Sequence, residues 1–227
     1  FIVSAGVTLF VGVSMALTSR TTTGRLSVRQ AFLMVTLSWV ALTVFASLPF
    51  AFSSLDMSFT DAFFEAMSGI TTTGSTVITN LDYAPPGILM WRALLQWLGG
   101  IGIIVMAIAI FPLLGVGGMQ LFRMESSDPS EKVLPRAAQI AGAIGLIYLA
   151  LTIIWALAYF GAGMNGFDAV AHSMTTIATG GFSTSDASLG HYDSALIDII
   201  AVGGMIIGSL PFILYLKTVR GDGASLF

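Results

Sequence analysis

Apolar residues run through this chain in five long blocks, 1–18, 31–52, 87–116, 137–160 and 195–216, separated by short polar stretches. A helix needs about 20 apolar residues to cross the hydrocarbon core of a bilayer, so each block predicts a spanning helix. Two further apolar blocks, 59–70 and 167–177, are shorter. A helix of about a dozen residues reaches only about 18 Å, too short to cross. Each short block runs into Thr and Gly, then a polar loop, then a full-length block. That order predicts re-entrant helices, which enter the membrane and turn back.

The two halves of the chain repeat at an offset of 107 residues: Asp61 aligns with Asp168, Met67 with Met174, Ile70 with Ile177, Thr72 with Thr179 and Gly74 with Gly181. Each unit reads as long helix, short helix, Thr/Gly loop, long helix. Two crossings per unit return the chain to its starting side, so the units are parallel. This disfavours an inverted-repeat transporter.

Composition agrees with a membrane solvent. The chain is 56% hydrophobic and 9% charged, against about 25% charged residues in soluble domains. The net charge of −3 offers no basic face for nucleic acid, and the absence of Cys removes disulfide and thiolate chemistry. Charge also orients the chain. Arg20, Arg25 and Arg29 lie in the first linker, Arg123, Lys132 and Arg136 between the units, and Lys217 and Arg220 after the last block. These linkers share one side, which the positive-inside rule makes cytoplasmic. Asp56, Asp61, Asp82, Asp168, Asp186 and Asp193 fall on the other. The short helices and Thr/Gly loops therefore enter from outside.

The candidate chemistry lies in the loops ITTTGST (70–76) and IATGGFS (177–183). Non-helical backbone at membrane depth is tolerated only when buried in protein or lining water. A dehydrated cation needs a ring of oxygens, which backbone carbonyls supply without a full charge. Glycine permits backbone conformations and close approaches that a Cβ forbids. A short helix also aims its partly negative C-terminal end at the membrane centre. Small residues that merely pack helices together are the alternative reading. Two such loops in register, each after a helix too short to cross, favour the ion path.

The segments FEAMSGITTTGST (64–76), WRALLQWLGGIGI (91–103) and HSMTTIATGGFST (172–184) carry a family resemblance. The chain resembles the Trk/Ktr/HKT superfamily of potassium transporters, and within it the bacterial Trk-type membrane subunit. The resemblance implies an all-α integral membrane protein built from helix–re-entrant pore helix–helix repeats, as in potassium channels. It implies four repeats around one pore, each giving a filter strand, whereas this chain has two. The expected strands are Thr71, Thr72, Thr73 and Gly74, and Ala178, Thr179, Gly180 and Gly181, acting mainly through backbone carbonyls on a transported potassium ion. Gly74 and Gly181 match the one filter glycine per repeat, and Gly74 points to potassium over sodium. Gly180 is expected to tolerate a side chain, because Thr73 is its counterpart.

The expected organisation is the end of a preceding helix (1–18), a first repeat (31–116), a cytoplasmic linker (117–136), a second repeat (137–217) and a linker towards further repeats (218–227). The chain is thus expected to be a piece of a longer protein. The resemblance also implies the bacterial cytoplasmic (inner) membrane, a homodimer of full-length subunits, and a cytoplasmic nucleotide-binding regulatory subunit as partner.

Other polar residues are candidates for support. Arg92 either snorkels beside Trp91 or pairs with Glu65 or Asp61 and braces the pore helix. His172 stands at the repeat position of Glu65, where a structural hydrogen bond is expected. Asp198 faces a pore mouth or an interface. Asp82, Asp186 and Asp193 belong to an outer vestibule or an ordinary loop. Gly203, Gly204 and Gly208 permit a kink or close packing. An enzyme is disfavoured, because the apolar blocks carry no nucleophile–base pair, metal cluster or phosphate loop. The competing reading is a cation-coupled secondary transporter with broken helices.

Overall fold

The computed structural model describes residues 1–19, 27–114 and 133–219. Arg20, Arg25, Arg123, Lys132 and Arg220, and most of the two stretches expected to be cytoplasmic linkers, lie outside the described residues.

Among the described residues, the α-helices in order are α1 Ile2–Thr18, α2 Val28–Ala51, α3 Phe59–Ile70, α4 Pro86–Leu114, α5 Val133–Gly161, α6 Gly166–Ile177, α7 Ala195–Ser209 and α8 Phe212–Val219. Short 3-10 turns at Leu81–Tyr83 and Ser188–Tyr192 sit in the loops that lead into α4 and α7. Phe32–Ala51, Pro86–Ile104 and Gln139–Gly161 are long and apolar enough to cross a membrane. Of the other two expected spans, α1 has 17 residues and α7 has 15.

Helix ends follow local chemistry. Ser27 caps α2 and exchanges hydrogen bonds with Gln30 in a capping box, which sets the start ahead of the apolar block. Helix α5, Val133–Gly161, takes in residues 133–136 of the stretch expected to be linker. The caps of the short helices repeat. Ser58 Oγ accepts the Asp61 N–H at 3.1 Å, and Asn165 Oδ1 accepts the Asp168 N–H at 2.9 Å, at the same offset of the chain.

The last block, 195–216, is not one helix. Helix α7 stops at Ser209, Leu210 is extended (φ −70, ψ 144) and α8 begins at Phe212. Pro211 is the cause: it lacks an N–H and drives the residue before it out of the helical region. The Ile207 carbonyl, which an unbroken helix would pair with residue 211, instead accepts the Leu210 N–H at 3.3 Å and the Tyr215 hydroxyl at 2.7 Å.

Helix α3 packs between α2 and α4, and α6 packs on α5, α4 and α7. Helix α4 therefore touches both short helices and joins the units. Indole N–H groups tie the long helices within each unit: Trp91 donates to the Ala46 carbonyl and Trp155 to the Ile200 carbonyl. Between units, Trp97 donates to Thr152 and Tyr148 to the Trp97 carbonyl.

The solvent pattern is that of a membrane protein. Leu33, Leu37, Leu146, Ile153, Leu157, Ile199 and Val202 are exposed, while Thr43, Ser47, Glu65, Arg92, Gln96 and Ser173 are buried. Lipid covers such an apolar exterior, and the interior polar groups must pair with one another.

Candidate ion-filter site

Both short helices end in the same backbone motif. After α3, the Thr73 N–H reaches the Ser68 carbonyl at 2.9 Å and the Thr72 N–H the Gly69 carbonyl at 3.0 Å. After α6, the Gly180 N–H reaches the Thr175 carbonyl at 2.9 Å and the Thr179 N–H the Thr176 carbonyl at 3.0 Å. These are Schellman terminations, whose C′ residue is left-handed and usually glycine. Here it is threonine: Thr72 has φ +55 and Thr179 φ +54. A β-branched residue in that region is strained, at a cost of order 1–3 kcal/mol. Two residues on, Gly74 has φ +82 and Gly181 φ +84. The loops therefore repeat in backbone angle as well as in sequence, at the offset read from the aligned residues.

Thr71 and Ala178 cap their helices. Thr71 Oγ1 donates to the Met67 carbonyl and bonds Thr73 Oγ1 at 2.8 Å. Ala178 and Gly180 are buried, whereas Thr73, Thr179 and Gly181 are exposed. The loops meet each other at Gly74: a Cβ there would overlap the Gly180 carbonyl oxygen. A Cβ on Gly181 would meet nothing within 4 Å among the described residues.

A buried polar layer stands behind the loops. Glu65 is fully buried, and its carboxylate accepts the Thr76 hydroxyl at 2.8 Å and the Val77 N–H at 3.0 Å. Arg92 Nε donates to Glu65 Oε1 at 2.8 Å, its Nη1 donates to the Ser183 carbonyl at 2.7 Å, and its guanidinium lies 4.0 Å from the Phe182 ring centroid. One arginine thus joins the first pore helix to the second loop, and both its charge and its π face are engaged. Asp61 takes no part: it is exposed and accepts from Ser58. In the second unit, His172 Nε2 bonds Ser183 Oγ at 3.0 Å. His172 and Ser183 are the repeat counterparts of Glu65 and Thr76, so one helix-to-loop brace is built twice with different chemistry.

The following helices approach closely through glycine. A Cβ on Gly99 would overlap the Ile70 carbonyl oxygen, and one on Gly208 would sit 2.7 Å from the Ile177 carbonyl oxygen. Asp82, Asp186, Asp193 and Asp198 are exposed.

The expected tolerance of Gly180 meets Gln96: a Cβ there would overlap Cδ and Oε1 of that side chain, which would have to shift. Gln96 comes from α4, outside the loop, so the repeat pairing with Thr73 does not announce it. Gln96 itself was not legible as a site residue. The available signal was its spacing: it lies four residues after Arg92 in an apolar span, hence on the same helix face. The break at Pro211 was likewise not read: proline signals a helix breaker, but the apolar run continues through it.

Comparison with known proteins identifies the family. Residues 2–220 match the family model for TrkH, described as cation transport protein. The Trk system potassium uptake protein TrkI of Halomonas elongata is 49% identical over 87% of this chain and 40% of its own length. The Trk system potassium uptake protein TrkH of Escherichia coli is 46% identical over 97% of this chain and 46% of its own length. A crystal structure of the potassium transporter TrkH from Vibrio parahaemolyticus superposes with a TM-score of 0.86 at 44% identity, over 98% of this chain and 45% of that one. The chain spans less than half the length of these relatives. Match, identity and superposition agree, and the chain belongs to the TrkH family of cation transport proteins.

Proposed function

We propose that this chain contributes two filter strands to a pore for potassium uptake. Thr71 to Gly74 and Ala178 to Gly181 present mainly backbone carbonyls to the ion, and Glu65 with Arg92 braces them. The observation that carries the reading is the repeated loop geometry: φ of +55 and +54 at Thr72 and Thr179, then +82 and +84 at Gly74 and Gly181, each set after a short helix. Strain retained twice at the same place marks a functional backbone. Selectivity then follows from the number and field strength of the carbonyls. The open flank of Gly181 is where a further strand would pack, as the Gly180 carbonyl packs on Gly74. Relatives named as potassium uptake proteins support potassium as the cargo.

The family resemblance extends the reading to a homodimer in the bacterial inner membrane, resting on a cytoplasmic nucleotide-binding regulatory subunit. The basic linkers lie on the side such a partner would meet.

Competitive rubidium and sodium uptake into proteoliposomes tests the filter. It uses the intact native protein that carries this sequence. Gly74→Ser and Gly181→Ser should each lower the rubidium-to-sodium ratio. Both variants keeping the native ratio and rate would exclude these loops as the filter.

A further inference from the structure

Gln96 is fully buried on α4, in the layer that holds Arg92. Its carboxamide is bonded to the second loop and faces the side of Gly74 where a Cβ would stand. Oε1 accepts the Phe182 N–H, the donor that follows Gly181, at 3.0 Å. Nε2 is buried with no hydrogen-bond partner among the described residues. A Cβ on Gly180 would lie 2.7 Å from Nε2, and one on Gly74 would lie 3.8 Å from it. Gly74 in turn faces the Gly180 carbonyl. The amide therefore stands near the meeting of the two loops, bonded to one and within reach of any side chain placed on Gly74 of the other.

We infer that Gln96 is a positioning residue that sets the spacing of the two adjacent filter loops, and through it the cation selectivity. The inference rests on the reading of the loops as a filter. Its physical basis is the low dielectric of the site. A buried N–H is costly to leave unpaired, so the Phe182 amide is held wherever Gln96 Oε1 stands. Helix α4 is anchored through Arg92 to Glu65 and Ser183, so Oε1 is itself fixed. The absence of a side chain at Gly180 has its reason here: the amide occupies that space. Thr73, the repeat counterpart, carries a hydroxyl that bonds Thr71 instead, so each strand is steadied from outside its main chain by a different group.

The test is competitive rubidium and sodium uptake by the intact native protein in proteoliposomes at matched protein levels. Gln96→Leu removes acceptor and donor together. It should lower the rubidium-to-sodium ratio by roughly tenfold, the equivalent of one lost hydrogen bond. Gly180→Ala should lower it too, and Gln96→Ala with Gly180→Ala should be no worse than Gln96→Ala alone, since the space is then free. A native ratio for Gln96→Leu, alongside a lowered ratio for Gly74→Ser, would overturn the role of Gln96 and leave the filter standing. Native ratios for both would remove the filter reading and this inference with it. Equal losses from Gly180→Ala in the native and Gln96→Ala backgrounds would also overturn it. Should Gln96→Leu yield no folded protein, Gln96→Ala decides: it too removes the acceptor of the Phe182 N–H. It should lower the ratio, and an unchanged ratio would overturn the inference.

Discussion

Arg92 Nη1 donates to the carbonyl of Ser183 at 2.7 Å, across 91 residues of chain, while its Nε stays 2.8 Å from Glu65. The guanidinium is therefore a tie between units, with one end on a pore helix and the other on the opposite loop. Only a planar fork of donors serves both acceptors at once.

Arg92→Ala is expected to destabilise the protein by about 3–5 kcal/mol, because it leaves Glu65 buried and unpaired. Arg92→Lys should recover only part of that, since an ammonium replaces the fork by a point charge. Folded yield and thermal unfolding in detergent measure the effect. Full recovery by lysine would show that charge alone suffices and that the Ser183 contact contributes nothing.

Gly99→Ala and Gly142→Ala should move stability in opposite directions. A Cβ at position 99 overlaps the Ile70 carbonyl, whereas one at position 142 meets nothing within 4 Å among the described residues. Gly99→Ala therefore pushes α4 off the end of α3, costing about 1–3 kcal/mol as overpacking does. Gly142→Ala lies inside α5 and should gain about 0.5–1 kcal/mol from helix propensity. Unfolding midpoints of the two variants compare them directly. A neutral Gly99→Ala would mean that the α3–α4 contact gives way easily.

Tyr215→Phe should cost about 1 kcal/mol, the worth of the hydroxyl's bond to the Ile207 carbonyl. Pro211→Ala returns an N–H that can take that carbonyl and close the gap between α7 and α8. In the Pro211→Ala background the Tyr215→Phe cost should then fall towards zero. A double-mutant cycle by chemical unfolding reads the coupling. Additive costs would show that the break persists without proline.

The sequence by itself determined the solvent, the element types and the repeat. Runs of apolar residues dictate membrane helices whatever their neighbours, because backbone polar groups in lipid must pair within the segment. The offset of 107 aligned residues that share a backbone angle, Thr72 with Thr179 and Gly74 with Gly181, because φ at a helix C-terminus is set by local hydrogen bonds. Apolarity could not tell a continuous helix from the pair broken at Pro211, since lipid accepts both. Tertiary structure alone decided which acid Arg92 pairs with, that its second donor goes to Ser183, and that Gln96 fills the space beside Gly180. Those outcomes depend on how α4 sits between two loops distant in sequence. Local pattern carries no record of that distance, and only the packed helices bring the groups within hydrogen-bonding range.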